Sequence, residues 1–276
     1  MPINSSTQRI IGLAVAALFL VAGGYVVYQD VREEESLTPG DIPSTTTATS
    51  SEENSSPVIN APGVEYASGN SSNGAVTPSI PVPDLDRAIV FGAEFSPEAQ
   101  DIMREKILSV EGELKSDPSL FSGWLALGIY RKQTGDYEGA RQAWEYAEAL
   151  QPKNNISYLN LGILYHSYLK DFPKAEQYFL TSLEKNPLFV QTYAELGDLY
   201  RYSYKKDTTA TVDILKQGIE KTENVNLMIQ LAKYYKEVKN DSANAKVYFE
   251  QARDTAVKSG DTKLAEALEV EIAALK

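Results

Sequence analysis

The feature that most restricts this 276-residue chain is self-similarity at a period of 34 to 35 residues. Trp124, Leu127 and Gly128 recur as Tyr158, Leu161 and Gly162, as Tyr193, Leu196 and Gly197, and as Met228, Leu231 and Ala232. Three places after the small residue stand Tyr165, Tyr200 and Tyr235 in the last three copies, and Arg131 in the first. Further along each unit a small residue precedes a bulky one by four places: Ala140 and Trp144, Ala175 and Phe179, Ala210 and Ile214, Ala245 and Phe249. Side chains three, four and seven apart share one face of a helix, so each unit reads as a pair of helices with one buried side. The small residues mark where the two helices cross at close range.

Spacing, small residues and bulky residues agree over four copies, and Pro152 and Pro187 close the first two. The pattern resembles the tetratricopeptide repeat family over about residues 121–256. The resemblance implies an all-α fold, a right-handed α-solenoid of about four hairpins with capping helices at both ends. It also implies an inner groove lined by the first helix of each hairpin, open to a protein or peptide partner. On this register the groove positions are Leu125, Ile129 and Lys132; Leu159, Ile163 and His166; Ala194, Asp198 and Arg201; and Ile229, Lys233 and Lys236. Family members that clamp a terminal carboxylate use basic and amide residues at fixed places. Here Asn160 fits one, but Leu125, Ile129, Gln191 and Glu195 occupy others.

Lys132, His166, Arg201 and Lys236 share one register and form a ladder along the stack. One account is that cations favour the last turn of a helix; the other is a track for an acidic peptide. The expected groove is apolar in its first half (Leu125, Ile129, Leu159, Ile163) and basic in its second (Arg201, Lys233, Lys236). The third unit departs most, with Ile214, Gln217 and Thr222 in place of a ring, a small residue and a proline. From one small residue to the next there are twelve steps in the first unit and thirteen in the others, which adds a residue to each later turn.

A stack of hairpins exposes an apolar face at each end unless it is capped. Leu264, Leu268, Ile272 and Leu275 predict a cap beginning near Asp261, and Ser96 before Pro97 predicts a helix start at the other end. Pro118 stands 34 residues before Pro152, which puts this first helix in the place of a second helix. Lys106 and Glu113 then fall where small residues are expected, as in a degenerate cap.

The chain before the repeats is of another kind. Ile10 to Tyr28 is nineteen residues without a charge. As a helix it would reach about 28 Å, close to the thickness of a bilayer's hydrocarbon core. We read it as a single-pass anchor; Ala22, Gly23 and Gly24 leave a cleaved signal, and so a secreted protein, as the alternative. Arg9 favours a cytoplasmic N-terminus with the repeats outside the cytoplasm. From Ser36 to Pro83, sixteen of forty-eight residues are Ser or Thr, too few of them apolar to pack a core, so this stretch is expected to be a disordered tether. Its span as a flexible coil is roughly 40 Å. The expected order is a tail at 1–9, the anchor at 10–28, the tether at 29–85, a pre-repeat segment at 86–118, four repeats at 119–260 and a cap at 261–276.

The formal charge of −12 belongs almost wholly to the part before the repeats; residues 119–276 carry a net −1. That balance argues against nucleic acid as a partner. With no cysteine there is no thiol chemistry, and the sequence has no phosphate loop, His-Glu-x-x-His pair or calcium loop. The single histidine, His166, has only Ser167 beside it in sequence, which points to another side of the helix. The expectation is a scaffold for assembling a membrane complex, without catalysis, cofactor, metal or small-molecule substrate. The alternative is a passive structural subunit with no free groove.

Overall fold

The computed structural model describes residues 80–206 and 208–275. The Ile10–Tyr28 anchor and almost all of the tether lie outside the described residues. Among the described residues no helix is long and apolar enough to cross a membrane.

Ten α-helices follow one another without a strand among the described residues. A first helix, α1 (Pro97–Ser116), precedes four hairpins: α2 (Phe121–Thr134) with α3 (Tyr137–Leu150), α4 (Asn155–Leu164) with α5 (Phe172–Lys185), α6 (Val190–Asp198) with α7 (Ala210–Thr222), and α8 (Val225–Tyr234) with α9 (Ser242–Ser259). A last helix, α10 (Thr262–Ala273), packs on α9. The starts are written in the sequence. Asp136, Asp171, Asp241 and Asp261 each accept from a backbone N–H three residues on, which satisfies one of the orphan donors of a helix start.

The predicted close crossings are present. A Cβ on Gly128 would lie 2.2 Å from Trp144 Nε1, and one on Gly162 would lie 2.5 Å from the Phe179 ring. The aromatic residue opening each of the first three hairpins also anchors its polar end. Trp124 Nε1 donates to the Pro118 carbonyl at 2.8 Å, and the Tyr158 and Tyr193 hydroxyls donate to the Pro152 and Pro187 carbonyls at 3.0 Å. A buried ring with a polar tip needs such a partner. Met228, in the fourth hairpin, needs none.

The extra residue in the later turns takes a definite form. In the first hairpin α2 ends on Gly135, at φ 91°, and Asp136 N donates to the Arg131 carbonyl. In the others the first helix widens into a π turn, at Tyr165–Leu169, Leu199–Ser203 and Tyr235–Lys239. The same closing bond then runs from Asp171 N to the Tyr165 carbonyl and from Asp241 N to the Tyr235 carbonyl, one residue longer. One inserted residue is thus absorbed without disturbing the next helix, the usual role of such a bulge.

Two registers read from the sequence need correcting. In the third hairpin the pair facing α6 is Thr211 and Leu215, not Ala210 and Ile214. Thr211 is 1% exposed, and a Cβ on Gly197 would meet Leu215 Cδ2 at 2.8 Å. The turn before α7 is longer again, so α7 begins later relative to its buried stripe. In α1 the buried stripe is Ile107, Glu111 and Leu114, while Lys106 and Glu113 face out. The helix is rotated by one residue from a repeat's second helix.

The buried Glu111 explains Arg131. Arg131 is 2% exposed and donates to Glu111 Oε1 at 2.5 Å and to Asp136 Oδ2 at 2.7 Å. Arg87, from the segment before α1, holds Asp136 through both carboxylate oxygens at 2.9 and 3.0 Å. Burial alone would raise the Asp136 carboxyl, but its hydrogen bonds from Arg87, Gly139 N–H and Arg131 bring it below the usual aspartate range.

Candidate functional site

The face built by α2, α4, α6 and α8 is stitched along its length. Gln230 Nε2 on α8 donates to the Ala194 carbonyl at 3.1 Å and to Asp198 Oδ1 at 2.7 Å on α6. His166 Nε2 lies 3.0 Å from Ser203 Oγ, Arg201 pairs with Glu237 at 2.6 Å, and Lys236 pairs with Glu271 on α10 at 2.8 Å. Lys132 Nζ lies 5.9 Å from the Tyr168 ring centroid, near the limit of a useful cation–π contact. Every member of the basic ladder therefore reaches about one repeat ahead, to the end of the next first helix or, from α8, to the cap. The shared register sets hairpin against hairpin.

The other predicted positions divide by burial. Leu125 and Leu159 are 7% and 3% exposed and belong to the core; Ile129 and Ile163 are half-buried against it. Asp198 is half-buried under Gln230, and Lys233 is exposed.

The charge left unmet lies elsewhere. Lys132 makes no ion pair among the described residues, and burial pushes its ammonium below the usual lysine range, opposed by the Glu195 charge. Glu195, two hairpins away on α6, has no ion pair among them either. Burial first, then Asp198 one turn along, push its carboxyl up to about 7 against the pull of Lys132 and a hydrogen bond with Gln191. Burial also raises Asp198, opposed by Gln230, Arg201 and His166. A shielded cation and a shielded carboxylate thus sense each other across α4 without touching. The groove register does not include Glu195; its signal in the sequence is its mismatch with the carboxylate clamp, since an acid stands where an amide or base is expected.

Burial, then the Lys170 charge, lower the His166 pKa, and Asp198 opposes them. The pairing with Ser203 is half of a nucleophile and base arrangement. A triad also needs a carboxylate on the second ring nitrogen to orient the base. His166 Nδ1 has no hydrogen-bond partner among the described residues, and Asp198 is engaged by Gln230. The pair serves as a link between α4 and the α6 turn. On the second-helix side, α5 and α7 leave a shallow cleft of about 310 Å³ beside Leu180, Leu183 and Gln217.

No family model and no curated protein matches the chain. Among solved structures, the crystal structure of MamA is similar at 17% identity and a TM-score of 0.47, over 60% of this chain and 98% of that one. The crystal structure of TTC0263, a thermophilic TPR protein in Thermus thermophilus, is similar at 17% identity and a TM-score of 0.45, over 64% of this chain and 93% of that one. The tetratricopeptide-like fold stands on the hairpins, crossings and caps described above.

Proposed function

We propose that the chain is a membrane-tethered scaffold whose helical domain takes an extended segment of a protein partner on the face of α2, α4, α6 and α8, without catalysis. The observation that carries this reading is the separated pair Lys132 and Glu195, half-buried and without an ion pair among the described residues where their neighbours are paired. Charges held away from water need partners. A bound segment would supply a carboxylate toward Lys132 and a cation toward Glu195 and Asp198, with apolar side chains over Ile129 and Ile163 between them. This order differs from a basic second half, because Arg201 and Lys236 already have internal carboxylates. The supporting role in a membrane complex rests on the uncharged Ile10–Tyr28 stretch and the Ser/Thr-rich tether.

The test places a photo-crosslinking residue in the full chain at Ile163 or Lys233 on the inner face, and at Val247 on α9. An adduct with one partner at the inner positions and none at Val247 supports the reading. Adducts confined to Val247 favour a passive subunit that packs through its second helices. Membrane attachment is tested separately: the chain should stay with membranes through a carbonate wash and leave with detergent. A soluble chain beginning near Tyr25 would replace the anchor with a cleaved signal.

A further inference from the structure

We infer that the edge formed by the π turns closing α4, α6 and α8 is a docking surface for an anionic phospholipid bilayer. The fourth residue of each π turn is a large apolar or aromatic side chain left partly exposed: Tyr168, Tyr202 and Val238, by 36%, 57% and 44%, with one side of the Tyr168 ring on Tyr137 and one side of the Tyr202 ring under Arg201, each at 4.7 Å. Leu169 adds 38% beside the first. The first hairpin lacks a π turn and carries Gln133 near the end of its first helix. The three turns lie side by side, because the His166–Ser203 and Arg201–Glu237 contacts join one to the next.

The charges along this edge are unequally engaged. Asp171 and Asp241 cap α5 and α9, Glu237 holds Arg201, and Glu176 holds Lys205 and the Tyr200 hydroxyl. Lys170, Lys206 and Lys239 are exposed and have no ion pair among the described residues. Each apolar tip therefore has an exposed lysine within the next few residues that no carboxylate neutralises among the described residues, although the Lys239 ammonium lies 5.6 Å from the Tyr234 ring centroid.

That combination fits lipid headgroups. Tyrosine prefers the membrane interface, and a lysine beside an anionic leaflet strengthens binding by about fivefold. A protein partner would favour a central anchor seated among contiguous contacts. Here the exposed tips stand one hairpin apart, which suits a fluid surface that can receive each separately. The proposed anchor and tether only bring this edge within reach of the bilayer; the edge has its own chemistry.

The test uses the full chain with vesicles of phosphatidylcholine alone, or of phosphatidylcholine mixed with phosphatidylglycerol, and reads amide hydrogen exchange at the three turns. Exchange should slow only with phosphatidylglycerol and recover at high salt. The triple variant Lys170→Gln, Lys206→Gln, Lys239→Gln should weaken docking by about a hundredfold, with unchanged helical circular dichroism. Equal exchange with both vesicles overturns the inference. Slowing that survives in neutral vesicles also overturns it, and assigns the edge to a protein or a second copy. Retention through a carbonate wash is read in parallel and does not involve these lysines, so loss of retention with the slowing intact overturns the anchor alone.

Discussion

At one register of the repeat, the first hairpin buries a guanidinium, whereas the later hairpins turn phenol rings inward, buried at Tyr165 and Tyr200 and half-buried at Tyr235. Arg131 meets Glu111 and Asp136, whereas Tyr165 stacks on Tyr178 at 5.5 Å and Tyr235 on Tyr248 at 5.8 Å. The difference follows from the neighbours. The first hairpin packs against α1, which offers a carboxylate, while α4 and α8 each face a ring on their own second helix. An ionic junction and an aromatic one should fail in different ways.

The largest contrast is at that register. Arg131→Met strands Glu111 in a dry site and should cost about 3–5 kcal/mol, while adding Glu111→Leu should recover most of the loss. Tyr165→Phe removes no hydrogen bond of the stacked pair and should cost under about 1 kcal/mol. Urea unfolding followed by circular dichroism separates these; an Arg131→Met variant as stable as Tyr165→Phe would remove the distinction.

Next come the crossings. Gly128→Ala and Gly162→Ala drive a methyl into the Trp144 and Phe179 rings, which also fill the core, and should cost about 1–3 kcal/mol. Gly197→Ala meets only the far end of the Leu215 side chain, and should cost less. Equal losses at the three sites would show that the third hairpin is packed as rigidly as the others.

A comparable effect belongs to pH. The Glu195 pKa in the folded chain lies above its unfolded value, so its contribution to stability is present below about pH 4 and is lost as pH rises through about 7. The free chain should gain roughly 1–3 kcal/mol on going from pH 8 to pH 5 from this group, and Glu195→Gln should flatten that slope. The smallest effect is at the polar tips: Tyr158→Phe and Tyr193→Phe each lose one hydrogen bond to a proline carbonyl, at about 0.5–1.5 kcal/mol, measured by thermal unfolding.

Much of the fold was legible because periodicity and caps are local. The four hairpins, the Asp261 helix start and the thirteen-step spacing of the second and fourth hairpins follow from residue spacing. The third hairpin's register was not, because Ala210 copies the expected small residue while the longer turn moves the buried stripe to Thr211. At the site, the ladder of Lys132, His166, Arg201 and Lys236 was visible as a register. Its partners Ser203, Glu237 and Glu271 are not, since a repeat predicts which positions align and not which charges meet across hairpins. Glu195 and Lys132 stand two hairpins apart, so the repeat register does not show that their charges influence each other.

The most direct measurement compares partner affinity of the full chain across charge changes and pH. A cation bound at Glu195 requires the ionised carboxylate, so affinity should fall as pH drops below about 7. Lys132→Glu and Glu195→Lys should each weaken the partner tenfold or more, about 1.4 kcal/mol. Arg201→Glu with Lys236→Glu, which break one link between hairpins and one to the cap, should leave affinity within a few-fold. Loss of the partner on reversing Arg201 and Lys236, with none on reversing Glu195, would contradict the account and restore a basic track for an acidic segment.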